Sequence, residues 1–237
     1  MRQKLLSISQ SLRLPSICTL CHQLHKGSFA VCTFCMNLLK PLGSACSRCA
    51  TPLPDDDFLT CGACILKPPH FDKAIIGYAF DEPLRGLIHQ FKYQKGLHLR
   101  NFLCHLMLQT VQKNNTMPQC LIPVPMHPQR IKQRGFNQAV LLTKRLARLL
   151  NVPYDLTSCQ KKINTAPQAS LDKEQRRKNL SKAFHAKPLP YEHVAIIDDL
   201  LTTGNTANEL ARVLKKVGIK QVDVWCCARA VNESLSA

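Results

Sequence analysis

The chain lacks any apolar run long enough to span a membrane, and residues 1–16 mix charge, Gln, Ser and Leu where a secretory h-region would be continuous. These absences predict a cytoplasmic protein whose thirteen cysteines stay reduced, which argues against a disulfide framework. Aromatic residues are also scarce, with one Trp, four Tyr and nine Phe in 237 residues. A base-stacking platform is therefore not evident: Phe136, Phe184 and Tyr93 are the candidates, and each reads equally well as core. Acidic residues are few, 15 against 32 Lys and Arg, for a formal charge of +17. Residues 125–187 alone carry fourteen Lys and Arg against three Asp and Glu, an excess of +11. A basic field confined to one region suits a polyanion, whether pyrophosphate or a nucleic-acid backbone.

What the chain does have is cysteine in pairs. Eight of the thirteen fall before residue 65 as Cys18/Cys21, Cys32/Cys35, Cys46/Cys49 and Cys61/Cys64, separated by ten, ten and eleven residues. Two residues between thiolates let both reach one tetrahedral Zn²⁺, and two such knuckles complete a closed four-sulfur site. Eight ligands imply two structural zinc ions, with an iron–sulfur cluster as the competing use. A redox dithiol usually occurs once, so the even spacing reads as architecture. Sequential pairing of the knuckles gives two tandem ribbons and closes the shorter loops, while a cross-braced pairing is open on spacing alone. Neither site leaves a position for water, so the metal stabilises and does not catalyse. Of the other cysteines, Cys104, Cys120, Cys159, Cys226 and Cys227, the last two read as small buried hydrophobes, and none implies a nucleophile.

A length of 237 residues allows one sizeable α/β domain besides this module, with the joint near Lys67-Pro-Pro-His70. The pattern predicts a strand over Lys73–Phe80, then a helix over Pro83–Tyr93 with Leu84, Leu87, Ile88 and Phe91 on its apolar face and Arg85 and Lys92 outside it. A second helix follows over Leu99–Gln112, then a buried strand over Leu121–Val124. After it comes a basic loop, Met126–Gln138, with Arg130, Lys132 and Arg134 as candidates for pyrophosphate or an incoming substrate, feeding a helix to about Leu150. The run Lys173–Lys182 is densely basic and fits an anion-binding arm or an exposed helix, and Ile219–Ala228 reads as another buried strand.

The densest signal is His193–Thr206. Val194–Ile197 reads as a strand buried on both faces of a parallel sheet, so Asp198 and Asp199 emerge at its C-terminal end. Thr202, Thr203, Gly204 and Thr206 form a small hydroxyl-rich turn into a helix over Ala207–Val217, with Gly218 as its stop. A helix start offers unpaired N–H groups and a positive dipole end, and Gly204 allows close approach, which together suit phosphate. Two acids beside an anion site would be costly unless ribose hydroxyls, a developing positive charge or Mg²⁺ meets them. A ribose 5-phosphate supplies all three.

This segment resembles the 5-phosphoribosyl 1-pyrophosphate (PRPP) signature of type I phosphoribosyltransferases. The resemblance implies that Asp198 and Asp199 meet the ribose, and that Leu200, Leu201, Thr202, Thr203, Gly204, Asn205 and Thr206 belong to the PRPP-binding loop. With the Cys-x-x-Cys knuckles, Ile122-Pro-Val-Pro125 leading to Arg134-Gly-Phe-Asn-Gln138, and Arg176-Arg-Lys-Asn-Leu-Ser-Lys-Ala-Phe184, the chain resembles the ComF (ComFC/GntX-like) family along nearly its whole length. That resemblance implies an α/β fold: a double zinc ribbon over residues 1–69, followed over 70–237 by a type I phosphoribosyltransferase-like parallel sheet flanked by helices. It implies a cytoplasmic protein of natural transformation, reaching the inner membrane at most through partners, that handles incoming single-stranded DNA beside a helicase-like protein. The expected ligands are PRPP with Mg²⁺ and two Zn²⁺. Two functions remain open. One is an enzyme transferring phosphoribosyl from PRPP, in DNA uptake or in nucleotide or gluconate-related metabolism. The other is a non-catalytic scaffold whose basic residues, Lys132, Arg176, Arg177, Lys178 and Lys182, hold DNA.

Overall fold

The computed structural model describes residues 15–94, 96–114, 116–162 and 183–231. The basic run with Arg176, Arg177, Lys178 and Lys182 lies outside them. The described residues open with two units built alike. In the first, strands β1 (Ser16–Ile17) and β2 (Leu24–His25) pair antiparallel around the first knuckle, and the second knuckle opens the one-turn helix α1 (Thr33–Met36). In the second, an Ala45–Pro52 bridge replaces the hairpin ladder, and Cys61 precedes α2 (Gly62–Leu66). The residue after each hairpin knuckle, His22 at φ 57° and Ala50 at φ 54°, is left-handed. That conformation lets the His22 and Ala50 N–H groups reach back to the Cys18 and Cys46 carbonyls, both at 2.9 Å.

The remaining elements follow in order: β3 (Lys73–Ile75), β4 (Tyr78–Ala79), α3 (Leu84–Tyr93), α4 (Arg100–Val111), β5 (Cys120–Pro123), α5 (Pro128–Arg134), α6 (Gln138–Leu150), β6 (Cys159–Lys161), β7 (Phe184–Ala186), β8 (His193–Ile197), β9 (Leu200–Leu201), α7 (Asn205–Lys216), β10 (Gln221–Trp225) and β11 (Ala228–Arg229). Four strands form a parallel sheet in the order β3-β10-β8-β5. Alternation along β8 divides the core. Ala195 and Ile197 pack with α3, α4 and α6 residues such as Phe91, Leu106 and Leu146, whereas Val194 and Ile196 pack with Leu210 and Leu214 of α7. The first ribbon joins the former side, where Cys18, Val31 and Leu39 are buried and Phe29 lies edge-on to Phe102 and stacks on His105.

Three neighbouring strands break at one level. β3, β8 and β10 end at Ile75, Ile197 and Trp225, skip two residues each, and resume as β4, β9 and β11 in the same parallel order. The skipped pairs are Ile76-Gly77, Asp198-Asp199 and Cys226-Cys227. The single strand expected over Lys73–Phe80 is thus two. Glycine at 77 lets the break pack closely on α4, since a Cβ there would collide with the Thr110 hydroxyl.

The expected basic loop after β5 also differs, since seven of its residues form α5. His127 Nδ1 accepts the Gln129 N–H, Pro128 supplies a preset φ at the first helical position, and Gly135 at φ 87° ends the helix. Lacking an apolar stripe, with no buried residue, it gave no periodic signal. Strands β6 and β7 form a separate antiparallel pair, with the Lys161 ammonium 5.6 Å from the Phe184 ring centre.

Gly77→Ala is expected to destabilise the protein by about 1–3 kcal/mol in urea denaturation, the usual cost of overpacking. Adding Thr110→Ala should recover part of that loss, because the obstructing oxygen is then gone. Full stability in the single variant would contradict the close packing at the strand break.

Candidate functional site

The break between β8 and β9 carries the acids. Asp198 and Asp199 follow the buried run of β8, with the Asp198 N–H bonded to the Trp225 carbonyl at 3.1 Å and the Asp199 carbonyl accepting from Cys227 N at 3.1 Å. The Asp199 N–H turns onto Asp198 Oδ1 at 2.9 Å. Asp199 is 1% exposed, and Lys92, at the end of α3, meets its Oδ2 at 2.5 Å. Gln138 at the start of α6 donates to its other oxygen at 3.2 Å. Gln138 is itself held by Arg134, which donates to Gln138 Oε1 at 2.6 Å and to the Tyr93 hydroxyl at 3.1 Å while lying over the Tyr93 ring.

Asp198 is half-buried and lines the open space beside Asp199. Burial, followed by the neighbouring Asp199 charge, raises the proton affinity of its carboxyl well above the ordinary carboxylate range. Burial opposes the charge on Lys92, but Asp199 and Asp198 more than compensate and hold its ammonium above the usual lysine value. Lys161 is shifted the other way, by burial and by Arg130. Lys92 and Gln138 occupy both oxygens of Asp199, so Asp198, which lines the open space, is the carboxylate that fits ribose hydroxyls or a divalent cation.

A cavity of about 320 Å³ opens from the acids toward the turn before α7, with Arg130 and Lys92 on one side and Thr202, Gly204 and Thr206 on the other. Gly204, at φ 77°, folds the backbone into the helix start. A second compartment of about 220 Å³ shares the Lys92, Arg130, Gln138 and Asp198 wall and is completed by Tyr93, Arg134 and Lys161.

Among the sequence candidates, Asp198, Asp199, Leu200, Leu201, Thr202, Gly204, Thr206 and Arg130 line the first cavity. Thr203 and Asn205 face a separate space of about 650 Å³ against the second ribbon. Arg134 borders only the second compartment, and Lys132 is exposed and borders neither. Lys92, Gln138 and Lys161, none of them a site candidate from the sequence, belong to the site, and Tyr93, named there only for base stacking, lines its second compartment. The placing of Lys92 outside the apolar face of its helix is corrected here. It stands four residues after buried Ile88, at the edge of that face, and only 18% of its side chain is exposed.

The knuckles assemble sequentially. Cys18, Cys21, Cys32 and Cys35 form one cluster and Cys46, Cys49, Cys61 and Cys64 the other, with the sulfurs of each within 4.8 Å of one another. Burial opposes ionisation of Cys18, but backbone N–H groups of Cys21 and Cys32 outweigh it and bring its pKa to about 6. Similarly, N–H groups of Cys49 and Cys61 bring Cys46 down to about 7 against burial. Burial and the adjacent sulfurs push Cys35 up to about 12 and raise Cys64. Each cluster thus sets a cysteine drawn toward thiolate, Cys18 or Cys46, beside one that burial and its neighbours hold as thiol, Cys35 or Cys64, and a bound cation would favour ionisation of both.

Comparison with known proteins agrees with this division. Residues 10–65 match a family model described as a double zinc ribbon domain, and residues 137–234 match a phosphoribosyl transferase domain. The chain is 37% identical over 180 residues to Competence protein F of Haemophilus influenzae, covering 72% of this chain and 78% of that protein. It is 33% identical over 227 residues to DNA utilization protein YhgH of Escherichia coli O157:H7, covering 93% of this chain and all of that protein. The chain belongs to the ComF family. A more distant ComF-family relative, Competence protein ComFC of Bacillus subtilis, is 29% identical over 147 residues, 60% of this chain and 57% of that protein. The family's two parts correspond to the paired cysteine clusters and the creased parallel sheet, a type I phosphoribosyltransferase-like α/β fold.

Metal analysis is expected to return two zinc ions per chain, and one after Cys61→Ser. Lys92→Met should cost about 3 kcal/mol at pH 8, because it leaves a buried carboxylate without its cation. Adding Asp199→Asn should recover part of that loss, because the uncompensated charge is then gone; no recovery in the double variant would indicate packing alone.

Proposed function

We propose that this ComF-family protein binds PRPP in the cavity at the strand break and transfers its phosphoribosyl group to an acceptor. The observation that carries this reading is the meeting of three features in one 320 Å³ space: two carboxylates at a strand end, a left-handed Gly204 turn opening a twelve-residue helix, and the cations Lys92 and Arg130. The N–H groups of the first turn of α7, with Thr202 and Thr206, take the 5-phosphate. Asp198 faces the ribose hydroxyls, and Asp199, fixed by Lys92 and Gln138, holds the wall behind them.

As the bond from C1 to the pyrophosphate oxygen breaks, positive charge develops on the ribose ring and negative charge on the departing pyrophosphate. The carboxylates are already in place to oppose the first, and Arg130 and Lys92 the second, so both gain most in the transition state. An acceptor nitrogen entering from the compartment lined by Tyr93, Arg134 and Lys161 forms the new C1–N bond and releases its proton. Mg²⁺ arriving with PRPP would be held on the protein side by Asp198 and would supply further neutralisation of the pyrophosphate charge.

The relatives' names, with the +11 excess over residues 125–187, support a role in competence and the use of DNA. The reading we propose is the handling of incoming single-stranded DNA in the cytoplasm, beside a helicase-like partner. Among the described residues no helix is long and apolar enough to cross a membrane. Attachment to the inner membrane through such a partner is part of the same proposal. DNA affinity carried by Arg176, Arg177, Lys178 and Lys182 would fall steeply with salt and depend little on sequence.

Calorimetry should show Mg²⁺-PRPP binding that weakens at least about tenfold, roughly one charge-assisted contact, in Asp198→Asn/Asp199→Asn. Unchanged affinity would remove the site assignment. Pyrophosphate release with one member of a nucleobase, amine and oligonucleotide panel is expected, and PRPP binding without release from any of them would leave a binding protein.

A further inference from the structure

Arg229 ends β11 with its guanidinium between the second ribbon and the turn that follows the acids. Its Nε donates to the Cys49 carbonyl and its Nη2 to Thr51 Oγ1, both at 3.1 Å. Its Nη1 donates to the carbonyls of Leu201 and Ala230, each at 3.1 Å, and of Thr202. Cys49 belongs to the second sulfur cluster, and Thr51 Oγ1 is 3.1 Å from the Cys49 sulfur. One rigid planar fork therefore grips a zinc knuckle on one side and the start of the phosphate turn on the other.

Two further bonds hold the surroundings, one from the knuckle to β3 and one from the joint after the second ribbon to α7. The Arg48 carbonyl, inside the knuckle, accepts from Ala74 N at 2.7 Å, and His70 N donates to Asn208 Oδ1 in the first turn of α7 at 2.6 Å. The first ribbon packs elsewhere, through Phe29 on α4. The knuckle that Arg229 grips also contains Ala50, a non-glycine residue in the left-handed region, a conformation that persists only where its surroundings enforce it. Closure of four thiolates on a metal supplies that enforcement.

We infer that Arg229 is a positioning residue coupling the second zinc centre to the phosphate turn. With the Cys46–Cys64 cluster closed, the Cys49 carbonyl and Thr51 hydroxyl hold the guanidinium where it fixes the Leu201 and Thr202 carbonyls. With the cluster open, the turn loosens. The consequence for PRPP affinity rests on the phosphoribosyl reading above, whereas the coupling does not. By thermodynamic reciprocity, PRPP should tighten zinc at the second cluster by the factor that zinc tightens PRPP.

The test is amide hydrogen exchange over residues 200–206 in the full chain, with zinc content measured on each sample. Cys61→Ser, expected to keep one zinc, and Arg229→Gln, expected to keep two, should both speed exchange by about fivefold or more, the low end of ordinary coupling. Cys32→Ser, which opens the first cluster, should leave it unchanged. Native protection in Arg229→Gln, or equal loosening in Cys32→Ser, would overturn the inference. If Arg229→Gln loses metal, Arg229→Lys replaces it: the charge remains, the fork is lost, and the same faster exchange is expected, with native protection counting against the coupling. In parallel, Cys61→Ser should bind PRPP about fivefold or more weakly. A native protein that binds no PRPP would remove the phosphoribosyl reading, and the exchange data would still decide the coupling.

Discussion

Three parallel strands interrupt their ladders at one level, and the interruption between β8 and β9 sets two consecutive carboxylates on the wall of a cavity. The ion pair between Lys92 and Asp199 makes that arrangement tolerable. A carboxylate 1% exposed at the centre of an α/β core carries a desolvation cost that only a close cation and a hydrogen-bond donor offset. Lys92 comes from α3 and Gln138 from α6, so one buried charge fixes the approach of two helices to the sheet. Arg134 and Tyr93 extend the same network to the mouth of the second compartment.

Function follows from the asymmetry of the two acids. Asp199 is committed to the protein, while Asp198 is half-buried, borders both compartments and is driven toward protonation by burial and its neighbour. A site with an unmet demand for positive charge, placed beside a helix start that attracts phosphate, is matched to a ligand with hydroxyls and a developing cation between anionic groups. The zinc ribbons do no chemistry of their own, yet the second of them touches the turn that would receive the phosphate.

Much of this was legible in the residues. The four Cys-x-x-Cys pairs specified two closed four-sulfur clusters because ligand spacing is local, and the run from Val194 to Thr206 specified a strand, acids and a turn because each part has a local signature. The strand break did not show, since Ile76-Gly77 and Cys226-Cys227 are apolar and continue the pattern of a buried strand. Helix α5 was hidden because it buries none of its residues and so has no apolar period. Lys92 and Arg229 were missed for a different reason: a lone cation at the edge of an apolar segment acquires its meaning only from partners 107 and 180 positions away in sequence.

The central claim is that the strand break and the Gly204 turn together form the seat of a phosphorylated ribose. A crystal structure of the protein soaked with Mg²⁺-PRPP tests it most directly. The account predicts the 5-phosphate against the N–H groups of residues 203–206 and the ribose hydroxyls within hydrogen-bond distance of Asp198. Ordered PRPP bound elsewhere, or bound with its ribose turned away from the acids, would contradict it.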